Sequence, residues 1–439
     1  MHGLYSFLTR LIAPLAFVVV LWRGLRDRSY WQALRERFAW GPVAGPVPVG
    51  PGAQQTPCIW LHAVSLGEVS AAAALVRALQ ARYPAVPLAM TTATPSGRAR
   101  ALSLFGDALS VRYLPYDTPG AVRRFLQRLQ PRLAIIMETE LWPNLYRECR
   151  RRGVPLLLAS ARIAEKSAAR YRRFGSLFRN TLASNVVIAA QSAADAQRFL
   201  ALGASQNHVH VIGNVKFDVD VSADVIAQGR ALRAQYGIDR PIWIAGSTHA
   251  GEEEPLLNAH AALRTQLPNA LLLLVPRHAQ RFEAVAELLE RRGITFIRRS
   301  SGIGSSSFDG VLRADTQVVL VDTVGELMSL YAAADIAFVG GSLVPIGGHN
   351  LLEPAAHGMP VLTGLQNFNA PQIAQLLLDE GAALAVANAE ELAVTLQQLF
   401  SDPARCRRIG AIGRRTVELN RGSVNRLLEL IEPWVAGTP

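Results

Sequence analysis

Twelve short apolar runs, separated by stretches with helical spacing, leave this chain few folds to choose from. In the first half they are CIWLHAV (58–64), PLAMTT (87–92), LAIIME (133–138), VPLLLAS (154–160), VVIAAQ (186–191) and HVHVIG (208–213). In the second half they are PIWIAG (241–246), ALLLLVPR (270–277), ITFI (294–297), QVVLVD (317–322), DIAFVG (335–340) and PVLT (360–363). Strands apolar on both faces belong in parallel sheets covered by helices, and their alternation with amphipathic stretches is the pattern of βα units. A chain of 439 residues is long enough for two such doubly wound α/β units, each with its own core. The expected boundaries are 58–213 and 241–403, with 214–240 as a hinge, 298–310 (RRSSGIGSSSFDG) as a surface loop, and C-terminal helices over 404–439. The halves share no sequence repeat.

Before the first strand lies LIAPLAFVVVLW (11–22), bounded by Arg10 and Arg23 and interrupted by Pro14. Twelve residues fall short of the roughly 20 that cross a bilayer. Counting from Leu4 lengthens the segment enough to cross with Arg10 snorkelling, and a shallow helix lying in the interface is the alternative. A basic stretch follows (Arg23, Arg26, Arg28, Arg35, Arg37), which argues against a cleaved signal peptide and for a cytoplasmic C-terminal side. Trp22, Tyr30, Trp31, Phe38 and Trp40 suit a membrane interface, so residues 1–40 read as an anchor and interfacial segment, and GPVAGPVPVGPGAQQTP (41–57) as a linker.

The formal charge of +11 is unevenly divided: residues 1–212 hold 26 Lys+Arg against 10 Asp+Glu, and residues 213–439 hold 19 against 24. The basic half calls for an anionic partner such as a lipid head group or a phosphorylated substrate. No helix-turn-helix or aromatic-rich RNA motif supports nucleic acid. Cys58, Cys149 and Cys406 lie far apart without metal-ligand or disulfide-framework spacing.

In doubly wound sheets ligands sit beyond the carboxyl ends of strands, and the unusual motifs fall there. HAVSLGE (62–68) puts Glu68 in the first turn of a helix, where a carboxylate either complements the helix dipole or takes a proton from a hydroxyl. METELWPN (137–144) puts Glu138 and Glu140 at the end of a very apolar strand, where a carboxylate needs a partner. GNVKFDVD (213–220) carries Lys216, one of two lysines among 45 basic residues, whose compact ammonium suits a phosphate or carboxylate. Its Asp218 and Asp220 have the form of a metal-binding pair but lack a third ligand in view. GSTHAGEEE (246–254), VPRH (275–278), VDTVGELM (321–328) and FVGGSLVPIGGHNLLEP (338–354) add glycine-flanked turns, Arg277 and Glu353, together with His249, His278 and His349, each of which suits a structural hydrogen bond as well as a ligand contact.

In this order, HAVSLGE, METELWPN, GNVKFD, GSTHxGEE, VPRH and the run Val324–Ala356 resemble the 3-deoxy-D-manno-octulosonic acid (Kdo) transferases of Gram-negative lipopolysaccharide synthesis, over nearly the whole chain. The resemblance implies a GT-B fold of two Rossmann-like domains facing a cleft behind an N-terminal membrane helix, with acceptor bound by the first domain, nucleotide by the second, and a terminal helix that crosses back. It implies inverting transfer of Kdo from CMP-Kdo to a bisphosphorylated lipid A precursor at the cytoplasmic side of an anionic inner membrane, with no metal and no cofactor. Carried over by motif, Glu68 is the general base, Glu138 and Lys216 stabilise the transition state, and CMP meets Pro276, Arg277, Val324, Gly325, Glu326, Asn350, Leu351, Leu352 and Glu353. A donor with one phosphate diester needs no cation to neutralise a diphosphate, which agrees with the absent metal motif. The alternatives are another GT-B glycosyltransferase or a nucleotide-sugar 2-epimerase, and outside enzymes a basic membrane scaffold or nucleic-acid binder.

Overall fold

The computed structural model describes residues 1–40, 57–182, 186–301 and 312–436. The linker read at 41–57 lies outside the described residues but for Pro57, and the loop read at 298–310 is described only as far as Ser301. The chain divides into two compact units, one of Met1–Asp218 with Arg421–Pro439, the other of Val219–Asn420.

Unit 1 is built on a seven-stranded sheet in the order β3-β2-β1-β4-β5-β6-β7, every pairing parallel. Its strands are β1 (Cys58–His62), β2 (Leu88–Thr92), β3 (Ser110–Tyr113), β4 (Pro131–Met137), β5 (Leu156–Ala161), β6 (Val186–Ala190) and β7 (Val209–Val211). β1 is buried at every position, as its unbroken apolar run requires. Because the chain leaves β1 for one side of the sheet and returns to β4 on the other, the topological switch point lies between these two strands, where crossover helices diverge and leave a crevice.

Unit 2 repeats the architecture with β8 (Ile242–Thr248), β9 (Leu271–Pro276), β10 (Phe296–Arg298), β11 (Val318–Leu320), β12 (Ile336–Val339), β13 (Val361–Thr363) and β14 (Ala383–Ala385). The order β10-β11-β9-β8-β12-β13-β14 puts its switch point between β8 and β12. The twelve apolar runs all supply strands, and the structure adds β3 and β14, both at sheet edges. An edge strand has one neighbour, so SVRY alternates buried with half-buried residues and three residues suffice for β14; neither makes a long apolar run.

Residues 214–240, expected to form a hinge, hold a short 3-10 turn at Val215–Phe217 and a 14-residue helix, Ala223–Tyr236, that belongs to unit 2. Its Gly229 is packed so closely that a Cβ there would sit 2.2 Å from Ala332 Cβ, and Leu232 and Tyr236 are buried in the core of unit 2. The terminal helices separate. Pro403–Asn420 stays with unit 2, whereas Ser423–Val435 rejoins unit 1 and buries Val424, Leu427, Leu428 and Ile431 beside β1 and β4 residues. Asp218 explains the second junction: Oδ1 accepts from Gly422 N at 2.6 Å and Oδ2 from Val424 N at 2.8 Å, which satisfies N–H groups at the start of that helix.

At the amino end, His2–Arg26 is one 25-residue helix that runs through Pro14 rather than being interrupted by it. At about 1.5 Å per residue it is roughly 37 Å long, and it is apolar enough to cross a membrane. Its first turns are tied to unit 1: Tyr5 Oη donates to Asp117 Oδ2 at 2.9 Å and Ser6 Oγ to Asn144 Oδ1 at 2.6 Å. Leu4, Phe7, Leu11, Leu15, Val18, Trp22 and Leu25 remain exposed. Residues 34–40, included in the expected anchor segment, are instead woven into unit 1. Glu36 Oε2 accepts from Tyr113 N at 2.9 Å, Phe38 O from Arg124 at 2.7 Å and Ala39 O from Arg128 at 2.8 Å.

Candidate active site

Glu68 and Glu138 follow the two strands that flank the switch point of unit 1. Glu68 sits in the first turn of the helix Leu66–Arg82, which Ser65 caps. Its Oε2 accepts from Val64 N at 2.8 Å and its Oε1 from Ser65 Oγ at 3.3 Å, a reciprocal arrangement that satisfies N–H groups on both sides of the cap. The dipole reading of this residue is therefore partly right, since the carboxylate does brace its own helix. Burial nevertheless raises its pKa above the ordinary carboxylate value, and the Glu138 charge pushes the same way.

Glu138 leaves β4 with φ +54°, a left-handed conformation that costs a non-glycine residue about 1–2 kcal/mol. Its N–H still bonds Ala159 O at 2.9 Å, so the turn is held by the neighbouring strand, where Ser160 has φ +53°. The turn carries Glu138 to two cations: Arg162 Nε donates to Oε2 at 3.1 Å, and Lys216 Nζ to Oε1 at 3.4 Å. The partner that a carboxylate there demands is thus supplied twice. Arg162 itself is held by Thr139 Oγ1, which donates to the Arg162 carbonyl. Sequence reasoning did not single out Arg162, although its place just after the β5 run was the available signal.

Glu140 completes a carboxylate group. Burial and then the Glu68 charge push its pKa up to about 7, and the Glu138 charge adds to this. Lys216 lies in the turn Val215–Phe217, whose flanking residues Val215 and Phe217 are buried and fix its base, while Asn214 Oδ1 accepts from its N–H at 3.0 Å.

In unit 2 the motif residues line the carboxyl ends of four adjacent strands, β11-β9-β8-β12. Pro276 ends β9 and Arg277 follows, its N–H bonded to Thr248 O at 3.0 Å. Val324 is exposed after β11, Gly325 has φ +94°, and Glu326 accepts from Arg299 at 2.8 Å and from Thr323 Oγ1. Asn350 precedes the short helix Leu352–His357, where its Oδ1 accepts from Leu352 N at 3.1 Å and its Nδ2 donates to Glu353 Oε1 at 3.0 Å. Leu351 and Leu352 are buried, so only backbone at these positions can meet a ligand.

Two acidic residues of GSTHAGEEE are structural. Glu252 is fully buried and accepts from the N–H groups of His249, Gly341, Ser342 and Leu343 at 2.7–3.1 Å, which ties the loops after β8 and β12 together. Glu253 takes Arg281 at 2.8 and 3.2 Å and Thr248 Oγ1 at 3.0 Å. The same tie brings His249 and His349 head to head, with Nε2 atoms 2.7 Å apart and rings parallel within 9°. Nitrogens this close must share one proton. Burial, Arg277 and the facing histidine lower the pKa of His349 to about 3, and His249 is lowered chiefly by burial. Considered singly in the sequence, neither residue reveals this pairing.

A family model for 3-deoxy-D-manno-octulosonic-acid transferase (kdotransferase) matches residues 32–219. The chain is 42% identical over 378 residues to a 3-deoxy-D-manno-octulosonic acid transferase of Haemophilus influenzae, covering 86% of this chain and 87% of that one. It is 37% identical over 442 residues to the transferase of the same description from Bordetella pertussis, covering 99% of each. Among solved structures, MurG of Acinetobacter baumannii superimposes with a TM-score of 0.52 over 86% of this chain and 99% of its own; at 14% identity that likeness is one of fold.

Proposed function

The chain belongs to the Kdo transferase family, and from that premise we propose that it is an inverting glycosyltransferase that moves Kdo from CMP-Kdo to a hydroxyl of a bisphosphorylated lipid A precursor. The observation that carries the residue assignments is the meeting of Glu68, Glu138 and Lys216 at the switch point of unit 1.

In this reading Glu68 removes the proton of the acceptor hydroxyl. Burial makes its carboxylate a stronger base than an ordinary glutamate, which brings it nearer the pKa that suits a general base at neutral pH. As the bond from the anomeric carbon to the CMP oxygen lengthens, positive charge grows on the sugar and negative charge on the departing phosphate. Glu138 offsets the first. Lys216, on a flexible stem beside Glu138, offsets negative charge on the phosphate or on the Kdo carboxylate. Arg162 keeps Glu138 oriented throughout.

CMP is assigned to unit 2, with Arg277 on the phosphate, Glu353 on ribose hydroxyls, and Pro276, Val324–Glu326 and Asn350–Leu352 forming the surrounding walls. The leaving group is neutralised by side chains, and no metal or cofactor takes part. The long exposed apolar helix His2–Arg26 and the basic charge of the first half suit an anionic inner-membrane surface bearing the acceptor, with both units on the cytoplasmic side.

The test is to incubate the purified full chain with freshly made CMP-Kdo and tetraacylated lipid A precursor, with and without EDTA, and weigh the lipid. Addition of Kdo in both samples is expected. No mass shift, or one abolished by EDTA and restored by a divalent ion, rejects the acceptor or the metal-free assignment respectively.

A further inference from the structure

The helix Pro143–Arg151 begins just after the turn that carries Glu138 and Glu140, and its own sequence does not cap it. The side chain of its N-cap residue, Trp142, makes no capping bond, and Pro143 has no N–H. The N–H groups of Asn144 and Leu145 are capped instead by Asp117, which lies between β3 and β4: Oδ2 accepts from Asn144 N at 3.0 Å and Oδ1 from Leu145 N at 2.8 Å. Asn144 Nδ2 donates in return to Asp117 O at 2.6 Å. Asp117 is 5% exposed, so its carboxylate depends on the donors around it. A third donor comes from the membrane helix, where Tyr5 Oη reaches the same Oδ2 at 2.9 Å.

Tyr5 is one of four polar residues, His2, Tyr5, Ser6 and Thr9, whose helical spacing puts them on one face of His2–Arg26. All four meet the same place. His2 Nε2 donates to Pro143 O at 3.2 Å, Ser6 Oγ to Asn144 Oδ1 at 2.6 Å, and Asn144 Nδ2 reaches Thr9 Oγ1 at 3.4 Å. Attachment to a bilayer needs no such stripe, and polar groups are costly there. Residues 138–142 are thus held from both ends: Glu138 N bonds Ala159 O on the sheet side, and Tyr146 Oη donates from the helix to Glu140 O at 2.9 Å. We propose that the first turns of the membrane helix position the transfer machinery, Tyr5 through Asp117 and Ser6 through Asn144 fixing the turn that presents Glu138 and Glu140. Transfer then depends on these contacts and not only on attachment to the membrane. This rests on the role assigned to Glu138 above. Tyr5 and Ser6 act through Asp117 and Asn144 and are positioning residues.

The measurement compares the full-length wild type with Tyr5→Phe, Ser6→Ala and Ser6→Thr in detergent, where acceptor and enzyme meet without a bilayer and anchoring no longer matters. A cooperative melting transition and wild-type CMP affinity establish that a variant folds, and Ser6→Ala decides the matter should Tyr5→Phe fail to fold. Tyr5→Phe and Ser6→Ala should each lower kcat by roughly tenfold or more while the acceptor KM stays nearly unchanged, because a misplacement of about 1 Å costs on the order of 100-fold. Ser6→Thr, which keeps the hydroxyl, should recover most of the loss. Carbon-detected NMR of labelled glutamates should show the Glu138 and Glu140 carboxyl resonances displaced in Tyr5→Phe and Ser6→Ala. Wild-type kcat, a loss that lies wholly in KM, or unmoved resonances would each overturn the positioning role, and a lowered melting temperature does not rescue it, since that assigns the contacts to stability alone. Should the wild type transfer nothing, the functional reading fails separately and the resonances still decide: displacement supports the coupling of the helix to the turn, and coincidence with the wild type overturns it.

Discussion

Lys216 and Glu138, 78 residues apart in sequence, face each other across 3.4 Å at the carboxyl edge of the first sheet. In the proposed reaction the ammonium would meet a departing phosphate and the carboxylate a developing sugar cation. Glu138 does not rely on Lys216 alone, because Arg162 holds its other oxygen. Lys216 can therefore turn to a substrate anion without leaving a half-buried carboxylate bare, a loss that is otherwise costly.

Glu68→Gln should leave CMP affinity nearly unchanged and reduce transfer by roughly 100-fold or more, the scale of a missing general base. The amide still bonds around Ser65 and Val64 through its oxygen, so the helix cap is retained in part. Calorimetric CMP binding and initial rates check the two halves of this statement. Transfer at near the wild-type rate would return Glu68 to a purely helix-bracing role and make Glu140 the next candidate.

Glu140 should titrate in the folded protein at about 7. Because the Glu68 charge is the second cause of that elevation, Glu68→Gln should move the Glu140 titration down towards the ordinary value, since removing a like charge favours ionisation. Carbon-detected NMR of labelled glutamates reads this directly. An unmoved titration would mean that burial alone sets it.

The paired imidazoles of His249 and His349 should make nucleotide binding pH-dependent. Around them stand Arg277, His278, Arg281 and Glu253, and the balance keeps both rings neutral at pH 7 in the free protein. A bound anion favours the protonated pair, which then shares one proton between Nε2 atoms and offers a donor at each Nδ1. Binding therefore takes up a proton, and CMP affinity should rise as pH falls from 7 towards 5, by at most about tenfold per pH unit for one proton. Titrations in buffers of different ionisation heat detect the uptake. His349→Ala should flatten the dependence, and an equally steep profile in that variant assigns it to the phosphate instead.

Truncation separates the anchor from the fold. Removing residues 1–27 should release the protein from membranes and preserve a cooperative melting transition. Removing residues 1–40 should also strip Phe38 O from Arg124 and the carboxylate that receives Tyr113 N, each partly buried donor costing about 1–3 kcal/mol when left unpaired. Both deletions should lower the melting temperature, the shorter because it takes Tyr5 and Ser6 from Asp117 and Asn144, and the longer by a markedly larger amount. Equal melting of both would place residues 34–40 outside the cooperative unit.

What the sequence by itself determined was local in origin. An apolar run long enough to fill a parallel strand declares itself, and the residue that follows such a strand falls at the ligand-binding edge, so Glu68, Glu138 and Arg277 could be singled out before any contact was known. The motif spacing went further and carried the family. Tertiary structure alone decided the rest, because each remaining feature joins residues far apart in the chain. Asp218, one half of an apparent metal-binding pair, caps a helix that begins some 200 residues later. Arg162 finds Glu138 only once β4 and β5 lie side by side. His249 and His349 share a proton only because Glu252 gathers the loops after β8 and β12. The edge strands β3 and β14 are held by their neighbours rather than by their own short sequences, and residues 34–40, expected in the anchor segment, join unit 1 where Glu36 meets Tyr113, a boundary that hydropathy does not mark. A pattern along the chain specifies which residues prefer burial or a strand end; which partner neutralises a charge depends on three-dimensional proximity, and that is set by the fold as a whole.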